Sequence, residues 1–146
     1  MGVVPDSALL IAAERGHFNL ACFLAAHPTE PFHIAAITAS ELLHGCARAT
    51  DTGVRPRRAR FVEGVFQDYA VLPFALTEAR EHARIWVELE AQGQPIGERD
   101  LQIAATAKAN DHAVATLNRR EFERVSGLPL ILKNAVQPQM DTDEHR

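Results

Sequence analysis

Short aliphatic runs and longer amphipathic stretches alternate along the chain, and this pattern predicts alternating strands and helices. The aliphatic runs are typical of strands that are buried on both faces of a sheet. The longer stretches place apolar residues at helical spacing, as between Thr77 and Gln92, where Ala79, Trp86 and Val87 recur among charges. The strands are predicted at residues 2–5, 32–37, 69–73, 113–116 and 130–132, and the helices at residues 8–16, 19–26, after Thr38, around 61–66, and at 77–92, 100–109 and 119–125.

Strands that alternate with helices indicate βαβ units, and such units build a parallel sheet with helices on both faces. The fold class predicted is therefore α/β, a three-layer α/β/α domain with a mostly parallel central sheet. The chain has 146 residues, which is the size of one domain. We assign residues 1–136 to this domain and residues 137–146 to a polar C-terminal tail.

Composition and charge narrow the function classes. The formal net charge is −4, so the charge of the whole molecule gives no argument for nucleic-acid binding, and a polyanionic substrate would need a local basic patch or a bridging cation. Cys22 and Cys46 lie in predicted helices without a C-x-x-C pair, which is typical of a reduced compartment. The apolar run from Ala8 to Ala13 is too short for a signal peptide or a membrane span. We therefore predict a soluble cytoplasmic protein with no membrane partner.

Acidic and amide side chains follow the predicted strands. In open α/β sheets, sites form at the carboxyl ends of the strands. Asp6 follows the first strand, Glu41 comes shortly after the second, Asp100 opens the alanine-rich helix, and Asn118 follows the strand at residues 113–116. Each residue also has a structural interpretation as a helix cap or first-turn residue, including Thr38-x-x-Glu41 as a capping box and Asn118-x-x-Glu121 as a second cap.

The combination of these residues favours a metal site over separate caps. Carboxylates within about 4 to 6 Å of each other repel, and one pKa is forced upward unless a cation relieves the repulsion. An all-oxygen donor set suits a hard divalent ion such as Mg²⁺ or Mn²⁺. Such an ion can activate water for attack on a phosphodiester, and it supplies the positive charge that the chain lacks.

Four sequence blocks resemble a known family. They are Asp6-Ser7 after an aliphatic strand, Thr38-Ala-Ser-Glu41-Leu, Ile96-Gly-Glu-Arg-Asp100-Leu-Gln-Ile-Ala-Ala-Thr-Ala107, and Ala115-Thr-Leu-Asn118-Arg-Arg-Glu-Phe122 followed by Gly127-Leu128. In order and spacing they resemble the PIN domains of the VapC type, the ribonuclease toxins of bacterial and archaeal toxin–antitoxin pairs. The third and fourth blocks are the most specific, and the resemblance runs almost from end to end.

The resemblance implies a fold, an activity and a set of site residues. It implies that Asp6, Glu41 and Asp100 hold Mg²⁺ or Mn²⁺, with Asn118 at a fourth catalytic position that is often Asp in relatives. It also implies that Ser7 and Thr116 line the site, that a VapB-like antitoxin covers the acidic pocket, and that the toxin forms a homodimer. The chain departs from the family pattern at Asn118, which is neutral, and at Pro5, where an aliphatic residue is usual.

Other residues have less specific interpretations. The basic run at Arg55, Arg57, Arg58 and Arg60 is either a solvated helix start or a surface that contacts RNA phosphates. Glu98 fits a helix-dipole residue better than an extra ligand. Trp86 fits the core or a dimer interface better than a base-stacking platform. Zinc-ligand spacings, a Walker A loop, G-x-G-x-x-G and G-x-S-x-G are absent from the sequence.

The function predicted is that of a metal-dependent endoribonuclease toxin that hydrolyses RNA and is inhibited by its antitoxin. The main alternative is a catalytically weak or inactive PIN-like module that binds RNA or a partner, and the neutral Asn118 keeps this alternative open. A phosphoacceptor receiver domain would need an Asp at the end of a middle strand, and residues 69–73 contain none.

Overall fold

A computed structural model describes residues 1–132, so the predicted tail at residues 137–146 and the domain boundary at residue 136 lie outside the described residues. The elements occur in the alternating order that the sequence predicts. The strands are β1 (Val3–Pro5), β2 (His33–Ala35), β3 (Ala70–Leu72), β4 (Ala113–Thr116) and β5 (Leu130–Leu132). The helices are α1 (Ser7–Glu14), α2 (Leu20–Ala26), α3 (Ala36–Arg48), α4 (Val54–Asp68), α5 (Leu76–Ala91), α6 (Glu98–Ala109) and α7 (Arg119–Phe122).

The strands form parallel pairs throughout the described part of the chain. One sheet has the order β1-β4-β5 and a second pairs β2 with β3. A parallel bridge between Val3 and Phe32 joins them, supported by a hydrogen bond from Val3 N to Pro31 O at 2.8 Å. Because all pairings are parallel, the carboxyl ends of the strands lie at one edge.

Consecutive strand residues point to opposite faces of the sheet, and each face has its own hydrophobic core. Val4 and Val114 pack in the core that contains Ile85 of α5, Ile103 of α6 and Phe122 of α7. Their neighbours in sequence pack in the other core, with residues of α1 to α4. The members of this second core include Val3, Ala115, Leu9, Leu10, Phe23, Leu42, Val62 and Val65. The predicted three-layer α/β/α arrangement is confirmed.

Several predicted boundaries differ from the structure. The second strand ends at Ala35, and Ala36 and Ile37 belong to α3, because helical packing of Ile37 against the core overrides its strand propensity. The arginine-rich run lies inside α4 rather than before it, with Pro56 tolerated in the first turn. Helix α6 begins two residues before Asp100, and α7 ends at Phe122 rather than at Val125. Helix α1 ends at Glu14, two residues before the predicted limit, and Gly16 stands just beyond its C-cap with a φ of 81°, as expected for a terminating glycine.

Candidate active site

Asp6 is fixed at the end of β1 by two neighbouring elements. Its backbone N–H donates to Ala115 O at 2.9 Å, which extends the parallel pairing of β1 with β4. Its Oδ1 accepts from Leu9 N–H at 2.9 Å and caps α1, while the Thr116 hydroxyl donates to Oδ2 at 2.6 Å. Asp6 is therefore both the N-cap of α1 and a fixed carboxylate at the sheet edge. Its interpretation as a helix cap is compatible with its interpretation as a cation ligand.

Burial acts against the charge of Asp6. It raises the pKa of this carboxyl, the hydrogen bonds from Thr116 and Leu9 oppose the rise, and the nearby charge of Glu41 adds to it. A buried carboxylate held in place by fixed donors is costly to keep ionised unless a cation balances it. The electrostatics of Asp6 therefore fit the prediction of a cation site.

Glu41 reaches the same edge from the interior of α3. That helix begins at Ala36, so Thr38 is buried within it and the capping box predicted for Thr38 and Glu41 is wrong. The Ser7 hydroxyl donates to Glu41 Oε1 and lies 3.3 Å from the Thr38 hydroxyl. Arg99 Nε lies 3.1 Å from Glu41 Oε2, and the two side chains form an ion pair. Both carboxylate oxygens of Glu41 are thus engaged by side chains that line the sheet edge.

Asp100 lies in the first turn of α6 and forms a pair with Glu121 of α7. Burial, a side-chain hydrogen bond with Glu121 and the charges of Glu121, Asp6 and Glu41 raise the pKa of Asp100 to about 7. The structure therefore brings Asp6, Glu41 and Asp100 within electrostatic reach of one another, as the sequence predicts. It adds Glu121, which the sequence pattern had indicated only as a possible helix cap.

Comparison with known proteins identifies the fold that carries this cluster. The family model of the PIN domain matches residues 3–128. The chain belongs to the PIN-domain family. Ribonuclease VapC1 of Rickettsia felis (strain ATCC VR-1525 / URRWXCal2) is 34% identical over 131 residues, 90% of this chain and 96% of that protein. The tRNA(fMet)-specific endonuclease VapC of Shigella flexneri is 34% identical over 95 residues, 65% of this chain and 70% of that protein. Within the PIN domains, the chain therefore groups with the VapC ribonucleases.

Solved structures agree with this assignment. The DNA-bound VapBC complex of Salmonella typhimurium contains a chain with a TM-score of 0.81 and 26% identity, covering 90% of this chain and 98% of that one. A chain of the VapBC2 complex of Rickettsia felis bound to a promoter DNA fragment has a TM-score of 0.79 at 23% identity, covering 90% and 98%. The second likeness concerns the fold alone. The resemblance and the fold class predicted from sequence are confirmed.

The backbone of Asn118 contacts this site. Its N–H donates to the Thr116 hydroxyl at 2.9 Å, and Thr116 in turn donates to Asp6. Asn118 occupies the position before α7, but its side chain makes no capping hydrogen bond there, so the predicted cap with Glu121 does not form. The place of the Asn118 side chain in catalysis stays a prediction.

The donor chemistry of the site fits a hard divalent cation. Buried or clustered carboxylates with raised pKa values, supported by the hydroxyls of Ser7 and Thr116, form an oxygen-only donor set. Within residues 1–132, no three His, Cys, Asp or Glu side chains are already grouped to hold a metal. Glu41 instead contacts Ser7 and Arg99, and Asp100 shares a hydrogen bond with Glu121. These side chains would have to reorient to hold a cation together.

A groove of about 540 Å³ adjoins the site and is lined by residues of α1, α3, α4 and Arg99 of α6. Arg48 and Arg58 contribute positive charge to it, and Arg58 Nε pairs with the buried Glu14 at 3.2 Å. The other three arginines of the predicted RNA-contact run lie outside the groove lining, exposed on α4. They are Arg55, Arg57 and Arg60.

Three further features of the described residues bear on the sequence predictions. Trp86 is 49% exposed, which is inconsistent with a core position. Glu98 accepts from Gln102 at 3.0 Å and lies 2.9 Å from His82, so it points toward α5 and away from Asp100. Within residues 1–132, none of the helices combines the length and apolar character that a membrane-spanning helix requires.

Thr116→Val is expected to lower the free energy of unfolding by about 1 to 3 kcal/mol. The substitution leaves the Asn118 N–H without its acceptor and Asp6 Oδ2 without its donor in a buried setting. Thr116→Ser keeps the hydroxyl and is the matched control. Urea unfolding measures both variants, and equal stability of the Val and Ser proteins would show that the hydroxyl is not a structural link.

Proposed function

We propose that this chain is a divalent-cation-dependent endoribonuclease toxin whose site is formed by Asp6, Glu41 and Asp100, with Asn118 beside them. One observation carries the proposal: Asp6 after β1, Glu41 of α3 and Asp100 of α6 lie near the carboxyl edge of the sheet, where the charge of Glu41 raises the pKa of both Asp6 and Asp100. The family membership of the chain among VapC ribonucleases supports RNA as the substrate. We add Glu121 to the site because it shares a hydrogen bond with Asp100.

The residues of the proposed site have two roles, which are to hold the cation and to orient the residues that hold it. Asp6, Glu41 and Asp100 would hold Mg²⁺ or Mn²⁺, and the bound cation supplies Lewis-acid chemistry that activates water and balances phosphate charge. Thr116 and the Leu9 N–H hold the orientation of Asp6. Ser7 orients Glu41. Without a cation the pKa of Asp100 is raised to about 7 by burial and by neighbouring carboxylates, so a bound cation would favour its ionised form.

The proposed partners follow from the same acidic site. The similar chain from Salmonella typhimurium is part of a VapBC complex, which supports a VapB-like antitoxin as the inhibitor of this chain. A basic side chain of such an antitoxin could neutralise the carboxylate cluster. We also propose a homodimer of the toxin and a cytoplasmic location.

Purified protein incubated with a mixture of structured RNAs tests the activity. We expect cleavage in Mn²⁺ or Mg²⁺ and none in excess chelator. Expression of the chain alone should arrest growth, and co-expression of a neighbouring small antitoxin gene should relieve the arrest. If no divalent cation supports cleavage while the protein still binds RNA or its partner, the alternative of an inactive binding module is correct.

Glu121→Gln is expected to raise the Mn²⁺ concentration for half-maximal cleavage about 10-fold. The variant removes a negative charge that acts on Asp100 but keeps the size of the side chain. Glu123→Gln, two residues along and paired with Arg119 at 3.3 Å, is the matched control and should leave the metal requirement unchanged. Metal titration of the initial cleavage rate distinguishes the two, and identical curves for both variants would remove Glu121 from the site.

A further inference from the structure

Arg99 occupies one oxygen of a proposed cation ligand. Its Nε forms an ion pair with Glu41 Oε2 at 3.1 Å, while the Ser7 hydroxyl donates to Oε1. The Glu41 side chain is only 22% exposed, whereas the Arg99 side chain is 71% exposed and reaches in from solvent. The guanidinium of Arg99 therefore places a positive charge beside the carboxylate cluster and partly balances its negative charge.

The position of Arg99 on α6 gives it this contact specifically. Among its neighbours in the first turn, Glu98 contacts Gln102 and His82, and Asp100 shares a hydrogen bond with Glu121. The ion pair with Glu41 is formed by Arg99. A cation on Glu41 would compete with Arg99 for the same carboxylate lone pairs, since a guanidinium and a divalent ion both bind them directly.

If Arg99 were displaced from Glu41, its guanidinium would remain in a groove where it can bind another anion. Arg99 lines the groove that also contains Arg48 and Arg58, and Glu41 lies in the wall of the same groove. Arg58 is tied to Glu14 and to the Gly45 carbonyl, so it forms a fixed part of the wall. Arg99 is more exposed and needs only to release one ion pair to present its planar fork to a phosphate, the group for which that fork is suited.

We propose that Arg99 is an internal counter-ion of Glu41 that a divalent cation displaces, and that the released guanidinium then binds a phosphate of RNA in the adjoining groove. This inference rests on the proposed function, because it assigns a substrate-positioning role at the same site. Its consequence is that cation binding and RNA binding are coupled through one side chain.

Calorimetric titration of Mn²⁺ into the full chain tests the first half of the proposal. Arg99→Gln removes the competitor, and we expect Mn²⁺ to bind about 3- to 10-fold more tightly than to the native protein. Arg48→Gln removes the same charge from the same groove without a Glu41 contact, and its effect on Mn²⁺ affinity should be less than 2-fold. Equal effects of the two substitutions, or no effect of Arg99→Gln, would overturn the displacement.

Cleavage of the structured RNA mixture at saturating Mn²⁺ tests the second half. We expect Arg99→Gln to lower kcat/KM about 5- to 20-fold, mainly through KM, and Arg99→Lys to recover part of the loss because it restores charge without the planar fork. An unchanged KM in Arg99→Gln would overturn phosphate binding. If neither the native protein nor the Arg99→Gln variant binds Mn²⁺, the proposed function itself fails. That outcome differs from one in which both proteins bind Mn²⁺ tightly and equally, which overturns only the role of Arg99.

Discussion

Asp100→Asn is expected to abolish RNA cleavage and, at the same time, to stabilise the protein in the absence of divalent cations. The variant removes a proposed cation ligand, so we expect cleavage to fall by at least about 100-fold, equivalent to about 3 kcal/mol of activation free energy. The gain in stability follows from the environment of Asp100, because burial and the neighbouring Glu121 disfavour its charged form.

The stability effect depends on pH in a defined direction. The pKa of Asp100 is about 7 in the folded protein and 3.8 as the reference value for the unfolded chain. Between these values the folded state holds a proton that the unfolded state releases, so the free energy of unfolding falls as the pH rises from about 4 to about 7. Above pH 7 both states are ionised and the full penalty remains.

Urea unfolding in chelator at pH 5 and pH 8 measures this effect. Asp100 is partly exposed, so solvent screening reduces the penalty, and we expect Asp100→Asn to be more stable than the native protein by about 1 to 2 kcal/mol at pH 8. The difference should be much smaller at pH 5. A variant that is less stable at pH 8 would mean that the charge of Asp100 is compensated within the chain, and the need for a cation would lose its electrostatic basis.

Phe122→Ala is expected to lower the free energy of unfolding by about 3 to 5 kcal/mol. Phe122 is 1% exposed and belongs to the core that contains Leu101 of α6. It is also the last residue of the four-residue helix α7, which carries Glu121 to the site and has little stability of its own. Urea unfolding of the variant, followed by its cleavage rate under folding conditions, measures both consequences.

Phe74→Ala is the matched control for that substitution. Phe74 is partly exposed and contacts His82 edge-on, so its removal leaves no buried cavity and should cost less than half as much. Equal losses in the two variants would indicate that Phe122 does not anchor α7 in the core.

The sequence is informative about the fold because strand residues of this chain alternate between two cores. Aliphatic runs such as Ala113–Thr116 are buried on both sides and were predicted with the observed bounds. The prediction was wrong where helix and strand compete for the same apolar residues, as at Ile37, and where a polar residue resembles a cap but is buried inside a helix, as at Thr38. Only tertiary packing distinguishes these cases.

The site was predictable where a carboxylate directly follows a strand or opens a helix. Asp6 and Asp100 meet that rule, and the structure brings both to the carboxyl edge with Glu41. Glu121 and Arg99 were not predicted as site residues, because their contacts depend on how α6 packs beside α7 and α3. A helix-start spacing from Asn118 was the only sequence signal for Glu121, and it indicated a cap that does not form.

Cleavage rate as a function of Mn²⁺ concentration, for the native protein and for the Asp6→Asn/Asp100→Asn double variant, tests whether this carboxylate cluster is the active site. Asn at position 6 can still accept from Leu9 N–H and cap α1, so the double variant should fold. We predict that the native rate rises with Mn²⁺ to saturation and that the double variant shows no cleavage at any Mn²⁺ concentration. Metal-dependent cleavage by the folded double variant would contradict the assignment of this carboxylate cluster as the active site.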